Sequence, residues 1–341
     1  MNAVHQSVAS PIDALARPLR DLRLSVIEAC NFRCPYCMPA DRIPDDHGLD
    51  AGSRLSFDEI EVLVRGFVRL GVNKLRLTGG EPLLRRNLPD LVARLAAIDG
   101  LSDIALTTNG SLLARQASAL YAAGLGRITV SLDAIDPNVF AALSGGRGDI
   151  VDVLAGIAAA KAAGFAPIKV NCVVQRGVND DQVLPLLEYA REEGHVLRFI
   201  EFMDVGTCNG WRRERVVPSA ELRDRIRARW PLQPLDPNYR GEVASRYAFA
   251  DGGGEVGFVS SVSAPFCGDC HRARVSAGGA LYTCLFASAG HDLRPLLAHG
   301  EAAMASHVAQ VWSRRGDRYS ELRALAAPSS GKKVEMFLVG G

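Results

Sequence analysis

The sequence predicts an α/β fold: an incomplete (βα)6 barrel of the TIM type, closed by a C-terminal α+β module. Three observations carry this. From Leu22 to about residue 230, short apolar or β-branched runs alternate with longer stretches of helical spacing. Glycines such as Gly164 and Gly194 follow those helical stretches, where a helix ends. Polar residues gather at the C-terminal ends of the β-runs: Thr78-Gly79-Gly80, Thr107-Thr108-Asn109, Ser131 with Asp133, Asn171 and Met203. The rhythm alone fits a doubly wound sheet equally well, but a barrel is the fold that collects its active site on that rim.

Taken in order, residues 1–21 read as a mobile leader broken by Pro11 and Pro18. The expected strands are Leu22–Ala29, Lys74–Thr78, Asp103–Thr108, Arg127–Asp133, Ile168–Val174 and Val196–Met203. Between them helical spacing covers Phe57–Leu70, Leu88–Ile98, Leu112–Ala123, Ile150–Ala163 and Gln182–Glu193, and Ser56 with Glu59 forms a capping-box signature. The rhythm breaks in the Pro- and Gly-rich stretch after Trp230. A barrel over 22–229 and a second module over 230–341 are therefore expected. The module carries β-like runs Gly257–Val262, Arg272–Ser276 and Ala280–Phe286, then helical patterns at His291–Leu297 and Glu301–Arg314.

Composition narrows the function. The chain has 341 residues, 48% hydrophobic, with a formal charge of +1, so it lacks the basic footprint of a general nucleic-acid or membrane binder. Eight cysteines are too sparse for a disulfide scaffold and suit metal ligation in a reducing compartment. Without a signal-peptide run or a long apolar span, the expected location is cytoplasmic.

Six of those cysteines fall in two sets of three. Cys30, Cys34 and Cys37 stand at Cys-x3-Cys-x2-Cys spacing in CNFRCPYCMP. A cubane takes one thiolate per iron, so three cysteines leave one iron open, whereas a zinc site wants a fourth ligand and a redox pair needs only Cys34 and Cys37. Cys267, Cys270 and Cys284 make the second set, again three thiolates. Zinc there would have to recruit His271 or His291. A second open-iron cluster would instead bind a substrate lone pair. Arg272 and Arg274 follow at once, alternating on a β-run so that both point one way, and guanidinium groups match phosphate.

The first motif, with Met38-Pro39 behind it, resembles the radical S-adenosylmethionine (SAM) superfamily. Together with DLRLSV, KLRLTGGEPLLRRNL, LTTNG, VSLDA, KVNCVV, EFMDVGTCNGWRRERVVPSAEL, FCGDCHRARVSAGGALYTCLF and a terminal Gly-Gly, it is similar from about Asp21 to Gly341 to the GTP 3′,8-cyclase (MoaA) family of molybdenum cofactor biosynthesis. That resemblance implies two [4Fe-4S] clusters, one on Cys30, Cys34 and Cys37 with SAM and one on Cys267, Cys270 and Cys284 with GTP. It places Tyr36, Gly80, Ser131 and Met203 at SAM, and Arg23, Lys74, Arg76, Thr107, Lys169, Arg272 and Arg274 at GTP. Gly80 suits a strand end where backbone approaches the ligand's methionyl group.

In the family's chemistry a deoxyadenosyl radical takes hydrogen from C3′ of GTP, the ribose radical attacks C8, and reduction gives (8S)-3′,8-cyclo-7,8-dihydroguanosine 5′-triphosphate. Phe337, Leu338 and Val339 are costly to leave in water and are expected to anchor a last strand, and the resemblance implies that Gly340 and Gly341 beyond them enter the active site and assist the radical step. It implies a low-potential electron donor such as flavodoxin or ferredoxin and a downstream cyclic pyranopterin monophosphate synthase, and it leaves room for a homodimer. Two departures stand out: Ile27-Glu28-Ala29 replaces the usual Thr-Asp-Arg, and His271 a common Asn. Rival readings are a peptide-modifying radical enzyme with an auxiliary cluster, for which the basic set has no use, and a zinc-stabilised nucleic-acid module, which the neutral charge disfavours. Cys172 and Cys208 read as buried small apolar residues.

Overall fold

The computed structural model describes residues 10–45, 50–323 and 333–340. Its strands are β1 (Asp21–Ser25), β2 (Lys74–Thr78), β3 (Asp103–Thr108), β4 (Arg127–Ser131), β5 (Lys169–Val174), β6 (Val196–Glu201), β7 (Leu232–Leu235), β8 (Ser245–Phe249), β9 (Glu255–Val259), β10 (Arg272–Val275), β11 (Ala280–Tyr282) and β12 (His291–Asp292). They form one sheet in the order β12-β11-β10-β1-β2-β3-β4-β5-β6-β9-β8-β7. From β10 through to β9 every pairing is parallel, and the outer strands join antiparallel. The C-terminal half thus builds no sheet of its own. It adds β10 to one edge of the six βα strands and β9 to the other, so the sheet curls without closing.

The strand sequences explain the layering. In DLRLS and KLRLT the leucines Leu22, Leu24, Leu75 and Leu77 are fully buried beneath the helices, while Arg23 pairs in register with Arg76 on the opposite, concave face. The period of two therefore puts aliphatic side chains outside and cations inside. Helix Phe57–Arg69 starts with the expected box: Ser56 Oγ accepts from the Glu59 N–H, and Glu59 accepts from the Ser56 N–H at 2.7 Å. Helix Gly300–Ser313 packs on it at Gly66, where a Cβ would lie 1.9 Å from Cε of fully buried Met304, so this helix tolerates a glycine to admit its neighbour. That contact fastens the C-terminal half to the first βα unit.

Several expected boundaries move. The first strand stops at Ser25 rather than Ala29 because Ile27–Ala29 turn across the end of β2, taking the N–H groups of Gly80 and Glu81 on the carbonyls of Ile27 and Ala29. The sixth stops at Glu201, whose buried carboxylate accepts from the Ser219, Val262 and Ser263 N–H groups and so ties three segments together. The helix expected over 112–123 breaks at Gln116 into a 3-10 turn, Leu113–Arg115, and a short helix, Ala117–Ala122. Helices Pro137–Leu143 and Ser219–Arg227 and the β7–β8 hairpin were not expected. The stretch read as one helix at 291–297 is β12 followed by Arg294–Leu297. Met336–Val339 is a helical turn and not a last strand. Within the leader, residues 10–20 are packed rather than free, with Asp13, Arg17 and Leu19 all buried. Residues 1–9 lie outside the described residues.

Candidate active site

The loop after β1 carries the first cysteine set. A turn forms where the Cys34 carbonyl accepts from the Cys37 and Met38 N–H groups, at 3.0 and 2.9 Å. Arg33, buried beneath, donates to the Cys30 and Phe32 carbonyls and to Asp45. Asn109 Nδ2 bridges from β3 to Asn31 at 2.9 Å and faces the Cys30 sulfur. Burial pushes the Cys30 thiol up to about 11 and drives Cys34 and Cys37 upward as well. Buried thiols of this kind become thiolates only beside a cation, which the irons of a cluster supply.

Around this loop the rim residues divide. Tyr36 donates to Asp133 Oδ2 at 2.6 Å, and Asp133, raised to about 6 by burial, also accepts from the Val173 N–H. Gly80 sits where a Cβ would lie 2.3 Å from the Ala29 carbonyl oxygen. The missing side chain thus makes room for the cluster loop's own backbone. Ser131 ends β4, and Met203 follows β6 and lines the cavity described next. Sequence reasoning missed Glu81: its fully buried carboxylate, raised to about 7 by burial, accepts from Thr108 Oγ1 and the Asn109 and Leu83 N–H groups behind Cys30.

Inside the curl lies a cavity of about 160 Å³ shared by Arg23, Arg76, Thr107, Arg272, Arg274 and Met203 with all three cysteines of the second set. A second cavity of about 280 Å³ adjoins it through Arg23, Arg76, Arg198 and Arg272 and adds Lys74 and Lys169. Arg198 was not foreseen, although it occupies the lumen-facing phase of VLRFIE and donates to Asn171 at 3.0 Å. Among the described residues Arg23, Arg76, Lys169, Arg198, Arg272 and Arg274 carry no ion pair to a carboxylate, whereas Lys74 leans on Asp103 at 3.7 Å and lies over the Tyr239 ring. Burial first, then mutual repulsion, lowers Arg23 to about 9, Arg76 to about 10 and Lys169 to about 8. Crowded, desolvated cations of this density are complementary to a polyanion.

The second cysteine set is fixed by the same charges. Cys267 opens a 3-10 turn, Cys270 follows it, and Cys284 stands just beyond β11. Burial raises Cys284 to about 11; at Cys270 burial is outweighed by Arg272 and Arg315, leaving about 6. Arg272 donates to the Cys270 sulfur at 3.5 Å. No three His, Cys, Asp or Glu side chains among the described residues converge as ligands of a single ion would. A cubane does not ask for that, since each thiolate takes a separate iron.

The C-terminal tail enters this site. Arg274 donates to the carbonyls of Val339 and Gly340, and Gly340 has a positive φ of 68° with no room for a side chain: a Cβ would lie 2.3 Å from Cγ2 of Thr78. Gly341 lies outside the described residues. Upstream, Glu335 accepts from the Thr207 N–H and hydroxyl and from the Cys208 thiol, so Cys208 is a donor as well as a packing residue. Cys172 is fully buried, as expected.

Comparison with known proteins gives a consistent picture. The model of the Radical SAM superfamily matches residues 24–190, and that named Molybdenum Cofactor Synthesis C matches 195–321. A GTP 3′,8-cyclase of Xanthomonas campestris pv. campestris (strain 8004) is 72% identical over 335 residues, 98% of this chain and 98% of that protein. A GTP 3′,8-cyclase of Acidothermus cellulolyticus is 53% identical over 330 residues, 95% of this chain and 91% of that one. Among solved structures, Streptococcus suis SuiB bound to S-adenosylmethionine shares the fold, with a TM-score of 0.60 at 15% identity over 92% of this chain and 69% of that one.

Proposed function

Because the chain belongs to the GTP 3′,8-cyclase family of radical SAM enzymes, we propose that the basic cavity holds the triphosphate of GTP beside a second cluster, facing a SAM site on the first. The chain is a GTP 3′,8-cyclase acting in the first step of molybdenum cofactor biosynthesis, and it uses SAM and a [4Fe-4S] cluster. The observation that carries the proposal is the shared cavity: Arg23, Arg76, Arg198, Arg272 and Arg274, five cations without an ion-paired carboxylate among the described residues, line the same space as Cys267, Cys270 and Cys284, and Lys169 lines the cavity that adjoins it.

Cys30, Cys34 and Cys37 would hold the first cluster, with Tyr36, Gly80, Ser131 and Met203 around SAM; Cys267, Cys270 and Cys284 would hold the second. The buried thiols fit both groups, and among the described residues Arg23, Arg76, Arg198, Arg272 and Arg274 around the second set have no ion-paired carboxylate to compete with a substrate anion. When bound, the cofactors supply a radical able to take hydrogen from the ribose. The chain's own part is to orient and shield. Arg23, Arg76, Lys169, Arg272 and Arg274, with Lys74 at the mouth and Thr107 holding Arg76 at 2.9 Å, fix the phosphates and so the ribose. Aliphatic strand faces and packed helices keep water and stray hydrogen donors out. Gly340 and Gly341 are assigned to the radical step; the Arg274 contact to the Gly340 carbonyl supports that assignment.

The division into a barrel over 22–229 and a cluster module over 230–341 follows the same reading, as do a low-potential donor such as flavodoxin or ferredoxin and a downstream cyclic pyranopterin monophosphate synthase. A cytoplasmic location rests on thiolate chemistry that needs a reducing compartment; no helix among the described residues is long and apolar enough to cross a membrane.

Anaerobically reconstituted protein given SAM, reductant and GTP deuterated at C3′ tests the proposal. Deuterium should appear in 5′-deoxyadenosine alongside the cyclised nucleotide, and about eight irons per chain should fall to about four when Cys267, Cys270 and Cys284 are replaced. Stoichiometric zinc in the second site, or deuterium retained in GTP, overturns it.

A further inference from the structure

The N-terminal segment reaches across the molecule to the second cysteine set. Asp13, Arg17 and Arg315 have side chains no more than 2% exposed. Asp13 Oδ1 accepts from the Leu15 and Arg17 N–H groups at 2.9 Å each, folding the segment into a tight turn. Its Oδ2 accepts from Arg17 Nε at 2.6 Å and from Arg315 Nη1 at 3.0 Å. The two guanidiniums also donate to main-chain carbonyls. Arg17 Nη1 reaches Cys267 at 2.6 Å and Asp317 at 2.9 Å. Arg315 reaches Cys270 at 2.7 Å and Thr283, the neighbour of Cys284, at 3.0 Å. The indole of Trp312 closes the turn by donating to the Arg17 carbonyl at 3.0 Å.

We propose that Asp13 is a positioning residue for the second cluster: one buried carboxylate aims two arginines that set the backbone at all three cysteines. The thiolates sit in short turns with little secondary structure to hold them, on a 3-10 turn and just past the three-residue β11. Their spacing must therefore be imposed from outside, as partners beyond the ligands do at metal sites generally. Asp13 touches no ligand itself; it acts through Arg17 and Arg315. This rests on the proposed second cluster, and the test separates the two claims.

The experiment compares wild type with Asp13→Asn, which keeps the Oδ1 acceptor of the turn while removing the charge, and with Arg315→Lys, which keeps a charge beside Asp13 but loses the double reach to Cys270 and Thr283. Each is reconstituted anaerobically as the full chain. Iron is counted before and after an iron chelator, and the reduced clusters are followed by electron paramagnetic resonance. Wild type at about four irons would mean that the second cluster itself is absent. With about eight irons in wild type, both variants should lose about half under the chelator at least ten times faster, and the resonance of the second cluster should broaden or shift while that of the first persists. Unchanged chelation rates and spectra in both variants overturn the proposal. So does a failure of both to fold with the first cluster in place, because the trio would then be a general folding element.

Discussion

The Arg274 guanidinium donates to the carbonyl of Gly340, so a side chain expected at GTP also grips the end of the chain. The two jobs separate by substitution. In Gly340→Ala the new Cβ meets Thr78 in a backbone conformation that costs an L-residue about 1–2 kcal/mol, so the tail should withdraw while the guanidinium stays. We expect GTP affinity within about twofold of wild type and cyclised product down by roughly tenfold or more, the equivalent of about 1.4 kcal/mol, with 5′-deoxyadenosine still formed. Calorimetry beside a product assay checks this; unimpaired cyclisation would remove the tail from the chemistry.

Arg272→Ala should instead weaken GTP binding by roughly 1.5–3 kcal/mol, the range for hydrogen bonds to charged groups. Its partner among the described residues is the Cys270 sulfur, so part of the loss should show as a shifted second-cluster spectrum. Normal affinity with a normal melting temperature would count against a phosphate role.

Lys169 gives a pH prediction. Burial, with Arg198 and Arg127 nearby, holds its ammonium down to about 8. A phosphate partner favours the charged form and raises the value in the complex. The Lys169 contribution to GTP affinity is therefore fully present below pH 8 and declines as pH rises through 8 toward the bound value. Affinity titrations from pH 7 to 10 should show a decline that begins near pH 8 in wild type; Lys169→Met should lose that first component and keep only the later one from Arg23 and Arg76, which are held to about 9 and about 10. An identical profile in both proteins would rule it out.

Gly80→Ala probes the first site. A Cβ there collides with main chain, the Ala29 carbonyl at 2.3 Å, and no flexible side chain can yield. The motif loop should shift, costing iron at Cys30, Cys34 and Cys37 and SAM binding together, with the second set untouched. Full iron with selective loss of SAM would instead assign the glycine to ligand approach, the reason the sequence first suggested.

What the sequence made legible follows from range. β2 and β3 were bounded correctly because alternation and neighbouring glycines are local signals. Strand ends at Ser25 and Glu201 were missed because partners far along the chain decide them: Ile27 and Ala29 crossing β2, and Glu201 gathering Ser219, Val262 and Ser263. Motifs carried the six cysteines and most cations. Arg198 escaped because no motif marks it, although the strand's period of two does. Asp13 and Arg17 were invisible in a Pro-broken leader whose partners lie some 250 residues away.

Glu335 is the last such residue, and its position predicts a latch. Its carboxylate takes the Thr207 N–H at 2.9 Å, the Thr207 hydroxyl at 2.6 Å and the Cys208 thiol at 2.9 Å. Lys333, two residues earlier, reaches Asp204 at 3.1 Å. The loop just after Met203 thereby fixes the last described stretch before Gly340 enters the site. Gly206 is part of the fit, since a Cβ there would lie 2.1 Å from a Glu335 oxygen. A hydrogen bond to a charged group is worth about 1.5–3 kcal/mol net, so Glu335→Ala should loosen docking by at least roughly that much without touching a proposed ligand. Hydrogen exchange at the Leu338 to Gly340 amides should speed up, and cyclised product should fall with GTP affinity and iron content unchanged. Glu335→Gln, which keeps one acceptor for Thr207, should fall between. If exchange quickens in Glu335→Ala but product does not drop, the latch holds the tail but has no part in turnover.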